Sequence, residues 1–230
     1  MIINFLALIP ARKGSKRIKG KNLVKLAGKP LIQYTIESSK NSKRVDKILL
    51  SSNDPKILKL GKKFSLNYIL KRPEKNSKDR SSMEDVVMQT LKYLKKYKIK
   101  INNLVLLQPT TPFRSSKDID AMISYYKKKR LSHCVSVSNP FTNSLEIFHS
   151  KSNSINLTQN NKYKSHKHLF LNGSIYIFKV KDFLKNKKIY PSKVNYFIQG
   201  LNNSIDINNE VDLELAKSLL KKIKNYEIKY

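Results

Sequence analysis

Six residues in a short stretch, Arg12, Gly14, Ser15, Lys16, Lys21 and Asn22, carry the most legible chemistry of this sequence. Arg12, Lys16 and Lys21 supply cations, and Gly14, Ser15 and Gly20 let a ligand come close to the backbone, a combination suited to holding a polyphosphate. The apolar run Phe5 to Ile9 breaks at Pro10 just before them. The loop therefore leaves the end of a first strand, where α/β proteins bind nucleotides. Two common phosphate binders do not fit. Five residues separate Gly14 from Gly20 where a P-loop has four, Asn22 follows Lys21 where a P-loop has Ser or Thr, and GxGxxG is absent. A lysine-rich surface loop is the competing reading.

Positioning such a loop requires a scaffold, and the hydrophobic periodicity supplies one. Strand-like runs are expected at Ile3 to Ile9, Lys47 to Ser51, Asn67 to Leu70, Leu104 to Gln108, His133 to Val137, Ser174 to Phe178 and near Tyr196 to Gln199. Helical spacing fills Leu31 to Ser39, Lys56 to Phe64, Met83 to Lys96, Lys117 to Lys129, Lys181 to Leu184 and Val211 to Lys224. Ser82 with Asp85, and Ser116 ahead of Asp118, read as helix starts, and Asp118 and Asp120 as first-turn charges. The alternation predicts an α/β fold: a Rossmann-like, mostly parallel sheet with helices on both faces. One α/β domain spans 1–230, with a polar excursion at about 139–171.

The 230 residues carry 47 Lys and Arg against 16 Asp and Glu, a net +31, which by itself would suit nucleic acid, an anionic membrane or phosphorylated substrates. That charge is spread along the chain, with abundant Asn and Ile, as codon bias in an AT-rich genome produces. The aromatics lie in apolar periodic runs and make no stacking platform. Neither nucleic acid nor a membrane is an expected partner. The single cysteine, Cys134, suggests a reducing compartment, and the short opening apolar run reads as a buried strand and not a signal or anchor, so a cytoplasmic location is expected. His133, His149, His166 and His168 form no metal set.

From Ile9 to Asn22 the chain resembles the IPARxGSKxIxxKN signature of the acylneuraminate cytidylyltransferases, which couple CTP to sialic acid and related nonulosonates. Further family landmarks follow in order: Arg72 with Pro73, LQPTTPFR at Leu107 to Arg114, NGSIY at Asn172 to Tyr176, and SIDI at Ser204 to Ile207. The resemblance implies that Arg12, Gly14, Ser15, Lys16, Lys21 and Asn22 meet the nucleotide, with Arg12 and Lys21 catalytic. It likewise implies that Arg72, Ser81 and Ser82 recognise cytosine and ribose, and that Gln108, Asn172, Gly173 and Tyr176 shape the sugar pocket. The cofactor so implied is Mg2+ on Asp206, and the assembly a homodimer in which the 139–171 arm reaches across.

Two departures from the family pattern stand out. Asn208 occupies the place of a usual second aspartate, which leaves a neutral carbonyl for a hard cation. The arginines expected ahead of Asn172 are absent, with Lys164 and Lys167 in that stretch instead. Sialic, legionaminic and pseudaminic acids all remain candidate substrates. A related enzyme using the eight-carbon 3-deoxy-manno-octulosonate, or a CTP-binding relative of impaired catalysis, is the alternative. Arg72 pairing with Glu74, Ser82 as a helix cap, Tyr176 as a core aromatic, and Asp206 with Asn209 as caps of the last helix are the purely structural readings.

Overall fold

The computed structural model describes residues 2–15, 17–73, 82–139, 148–151, 154–157 and 169–227. Its strands are β1 (Ile2–Ala11), β2 (Lys25–Leu26), β3 (Lys29–Pro30), β4 (Lys47–Ser52), β5 (Tyr68–Lys71), β6 (Lys100–Leu107), β7 (His133–Ser138), β8 (Phe148–Lys151), β9 (Ser154–Leu157), β10 (Phe170–Lys179) and β11 (Asn195–Ile198). The helices are α1 (Leu31–Lys40), α2 (Pro55–Lys63), α3 (Met83–Lys96), α4 (Ser116–Lys128), α5 (Val180–Asn186) and α6 (Glu210–Glu227). Seven strands form the main sheet in the order β11-β7-β10-β6-β1-β4-β5, all parallel except β10. The fold is thus the Rossmann-like α/β architecture the periodicity predicts. Among the described residues no helix is long and apolar enough to cross a membrane.

Strand alternation builds the two faces. Along β1, Phe5, Ala7, Ile9 and Ala11 enter one core with Ile32 and Ile36 of α1, Ile57 of α2 and Ile119, Met122 and Ile123 of α4. Leu6 and Leu8 enter the other with Val87 and Leu94 of α3 and Phe183 of α5. Because side chains two apart share a face, a near-continuous apolar run is what a strand covered on both sides needs.

The chain runs from β1 outward through β4 and β5, then returns to place β6 on the other side of β1. This reversal opens a crevice at the carboxyl ends of β1 and β6, the switch point at which open α/β sheets bind ligands. β10 runs antiparallel, with Ile175 opposite Leu107, so its early residues lie at that same rim.

The structure corrects three expectations. Helix α4 is capped by Ser115 and not Ser116: Ser115 Oγ accepts from Asp118 N (3.1 Å) while Asp118 Oδ2 accepts from Ser115 N (2.8 Å). The acid must lie three residues past the cap for both bonds to close, and only Ser115 has one there. Asp120 is no first-turn dipole charge alone, since it accepts from Ser42 Oγ at 2.6 Å and from the amides of Lys43 and Arg44. Third, β10 begins at Phe170, so Phe170 and Leu171 pair with Ser138 and Val137 inside the main sheet and do not belong to the arm. The strand reads as starting later because its register shifts between Leu171 and Tyr176, and such a bulge erases the period-two signal. Of the arm, the described part is the β8–β9 hairpin, Phe148 opposite Leu157.

Candidate active site

The loop after β1 is tied down by its own polar groups. Asn22 Nδ2 donates to the Arg12 carbonyl (3.0 Å), and the Lys13 amide donates to Asn53 Oδ1 (2.8 Å) beyond β4. Gly20 has φ +64°, left-handed backbone that favours glycine, and lets Leu23 N reach the Gly20 carbonyl at 2.7 Å. A Cβ at Gly14 or Gly20 would meet no atom within 4 Å. These glycines therefore border open space and are not required by packing, as a ligand-facing backbone should be. Ser15 is half-buried, and Lys16 lies outside the described residues.

A small third core, unforeseen in the sequence reading, aims this loop. Ile18 packs with Leu26, Leu31, Ile207, Leu213 and Ala216, joining the loop to the segment around Asp206 and to α6. Leu26 is delivered by the β2–β3 hairpin, whose two-residue turn, Ala27 (φ 47°) and Gly28 (φ 83°), has the doubly positive φ of a type I′ turn. Ile18 is the one apolar residue among the cations of its loop, which was the available signal. As a result Lys21 Nζ donates to the Ile207 carbonyl at 2.9 Å. Burial lowers the Lys21 pKa, Asp206 opposes this, and Arg17 and Arg12 add to the lowering.

Arg72 is buried near Arg12. Its amide donates to the Ser52 carbonyl (2.8 Å), its Nη2 to the Ser51 carbonyl (3.1 Å) and its Nε to Ser51 Oγ (3.4 Å). Burial, and then the nearby Arg12, bring its pKa down to about 10, so it stays cationic at neutral pH. Glu74 and Ser81 lie outside the described residues. Ser82 caps α3 in a capping box with Asp85, at 3.1 and 3.0 Å.

Across the crevice, Gly173 has φ +69°, and a Cβ there would stand 3.5 Å from both Asp206 Oδ2 and Gln108 Oε1. Gln108, Gly173 and Asp206 therefore converge on one spot. Tyr176 is buried beside them and stacks on Tyr190 at 6.0 Å. Its phenol pKa is raised chiefly by burial, then by Tyr190 and Asp206. Asn172 belongs to the framework and presents no open hydrogen-bonding group to a sugar. Its Oδ1 accepts from Ser136 Oγ (2.6 Å) and Ser174 N (3.1 Å), while its Nδ2 donates to Ser204 Oγ (3.0 Å) and Gln199 Oε1 (3.2 Å). All four positions of the amide are filled, so this direct contact is replaced by a positioning role.

Asp206 is not a helix cap. That task falls to Asn209 and Asp212: Asn209 Oδ1 accepts from Asp212 N (3.0 Å), and Asp212 Oδ2 from Asn209 N (3.1 Å). Asp206 Oδ2 instead accepts from Asn208 Nδ2 at 2.8 Å, while its Oδ1 is shielded and, among the described residues, has no hydrogen-bond partner. A carboxylate oxygen left in this way fits a cation ligand. Among the described residues no three His, Cys, Asp or Glu stand together to hold a metal. A metal ion here would find side-chain oxygens on Asp206 and Asn208. Cys134 is buried, which pushes its thiol up to about 12 and removes it from nucleophilic chemistry. Lys164, Lys167, His166 and His168 lie outside the described residues.

Residues 6–229 match the family described as Cytidylyltransferase. The chain is 31% identical to CMP-N,N'-diacetyllegionaminic acid synthase of Legionella pneumophila, over 95% of this chain and 97% of that protein. It is 28% identical to pseudaminic acid cytidylyltransferase of Campylobacter jejuni, covering 94% and 96%. In fold it is similar to a solved structure of CMP:2-keto-3-deoxy-manno-octonic acid synthetase complexed with CTP, with TM-score 0.69, 19% identity and coverage of 95% and 99%.

Proposed function

The chain belongs to the cytidylyltransferase family, and from that premise we propose that it transfers CMP from CTP to the anomeric hydroxyl of a nonulosonic acid of the legionaminic, pseudaminic or sialic type. The observation that carries this reading is the meeting, at the β1/β6 crevice, of mutually repelling cations with the convergent side chains of Gln108 and Asp206 beside Gly173. A triphosphate relieves that repulsion, and a sugar fits the opposite wall.

In the reaction the anomeric oxygen attacks the α-phosphorus in line. The new O–P bond forms as the bond from the α-phosphorus to the bridging oxygen breaks, pyrophosphate departs with that oxygen, and the hydroxyl proton passes to solvent. Arg12 and Lys21 neutralise charge that grows on the leaving phosphates, and Arg72 holds the cytosine end through acceptors on its edge. Gln108 orients the sugar. Asp206, with the Asn208 carbonyl after an amide turn, would hold Mg2+, which when bound supplies Lewis-acid neutralisation of phosphate charge.

A pyrophosphate-release assay crossing four nucleotides with nonulosonic and octulosonic acids tests the proposal. Release is expected with CTP and a nine-carbon acid, and preference for another nucleotide or for the eight-carbon acid would replace the reading with its alternative.

The same proposal includes a homodimer. Tyr196 and Ile198 on edge strand β11, Leu171 on β10 and Tyr190 ahead of β11 are 41–47% exposed. Exposed apolar side chains beside an open edge suit a second copy. Light scattering is expected to give twice 26.7 kDa, and Tyr196→Lys to shift it toward one chain. A fully active monomer at all concentrations would discard the dimer.

A further inference from the structure

Arg114 is among the largest fully buried side chains, only 2% exposed, yet no acid hydrogen-bonds to it among the described residues. Its Nη1 donates to the Gln108 carbonyl (3.2 Å), Thr111 Oγ1 (2.7 Å) and the Ser174 carbonyl (2.8 Å), and its Nη2 to Thr35 Oγ1 (2.7 Å). These acceptors come from the β6–α4 loop, from β10 and from α1. Among the described residues its Nε has no hydrogen-bond partner. Burial lowers its pKa to about 9, opposed by Asp118, and it remains a cation at neutral pH.

A buried charge satisfied only by neutral oxygens is an expensive way to fill space, since a well-packed apolar side chain is often as stable or more so. The arrangement gains instead in geometry. A planar guanidinium can bridge several acceptors at fixed separations, which a lysine cannot. Two of its acceptors adjoin the sugar wall: Gln108 itself, and Ser174 next to Gly173. Gly173 and Gln108 adjoin in that wall, where a Cβ on Gly173 would lie 3.5 Å from Gln108 Oε1, in van der Waals contact.

Resting on the function proposed above, we propose that Arg114 is a positioning residue for the acceptor sugar, fixing the separation between the Gln108 loop and the Gly173–Ser174 bulge and thereby the fit of the nonulosonic acid. It leaves the nucleotide end alone, because none of its hydrogen-bond partners belongs to the Arg12–Asn22 loop, to β4 or to Arg72.

The test compares wild type, Arg114→Lys and Thr35→Val by sugar KM, by kcat and by CTP affinity from calorimetry. Arg114→Lys keeps the charge and loses the bridge. It is expected to raise sugar KM at least ~10-fold, within the scale of small misplacements of binding groups, with CTP affinity held within about twofold. Thr35→Val removes one anchor and keeps the cation, so the same split should appear at about threefold. A folded Arg114→Lys with wild-type sugar KM overturns the inference, as does a loss of sugar and CTP affinity in step, which is what general loosening gives. Should Arg114→Lys not fold, Thr35→Val decides: an unchanged sugar KM overturns the inference. A wild type with no saturable dependence on any nonulosonic acid defeats the function reading and this inference with it, whereas a saturable wild type with unaltered variants defeats this inference alone.

Discussion

Arg12→Ala is expected to lower turnover at least ~100-fold, the scale of losing one strong transition-state contact to an oxyanion, while leaving thermal stability near that of the wild type. The separation follows from how the loop is held. The Arg12 carbonyl is fixed by Asn22, the Lys13 amide by Asn53, and Ile18 by the third core, so none of these tethers runs through the Arg12 side chain. Ala11, the residue before, stays paired with Ser52 in the sheet. The loop should keep its path when the guanidinium is gone. Arg12→Lys should recover only part of the loss, because a point charge replaces a fork able to grip two phosphate oxygens. Steady-state pyrophosphate release beside a melting curve checks both statements. Near-normal turnover in Arg12→Ala would remove this residue from the chemistry, and a large fall in melting temperature would assign it to the fold.

The scaffold was legible because its signals are local. An apolar run with alternation defines β1, period 3.6 defines α3, and a serine with an acid three residues on fixes where α3 starts. The cations of the first loop were legible for the same reason, being close in sequence and following a strand. What stayed hidden depends on contacts far apart along the chain. Nothing near Asn172 reveals that Ser136, Gln199 and Ser204 fill every position of its amide. Nor does the sequence around Arg114 disclose that Thr35, on a helix 79 residues earlier, receives its Nη2. For Asn172 a polar residue inside a motif suggests a ligand contact, and in both cases the fold turns the side chain inward. Asp206 shows the converse, since Asn209 and Asp212 take the capping and release its carboxylate for the site.

That release makes Asp206→Asn the second decisive variant, with a large expected effect on activity and a small one on stability. The Asp206 Oδ1 is shielded without a hydrogen-bond partner among the described residues, and Lys21 nearby is committed to the Ile207 carbonyl. The shielded oxygen of this carboxylate costs stability in the metal-free protein while its attraction for Lys21 opposes that cost, so an isosteric neutral amide, still able to accept from Asn208 Nδ2, should melt close to the wild-type temperature. Turnover should fall at least ~100-fold, because the charge that would hold the divalent ion beside the phosphates is gone. Asn208→Asp supplies the mirror image. It sets a second carboxylate where an amide now donates at 2.8 Å, so like charges repel and one carboxyl pKa rises. The folded pKa then exceeds the unfolded one for that group, so the variant loses stability as pH climbs through the raised value and keeps it below the unfolded value. Mg2+ should reverse the loss, with a larger Mg2+-dependent rise in melting temperature than in wild type and half-saturation at lower Mg2+. Melting curves with and without Mg2+, alongside the pyrophosphate assay, read all of these signs. An Asp206→Asn enzyme that keeps its turnover, or an Asn208→Asp protein whose melting ignores Mg2+, would move the ion away from this carboxylate.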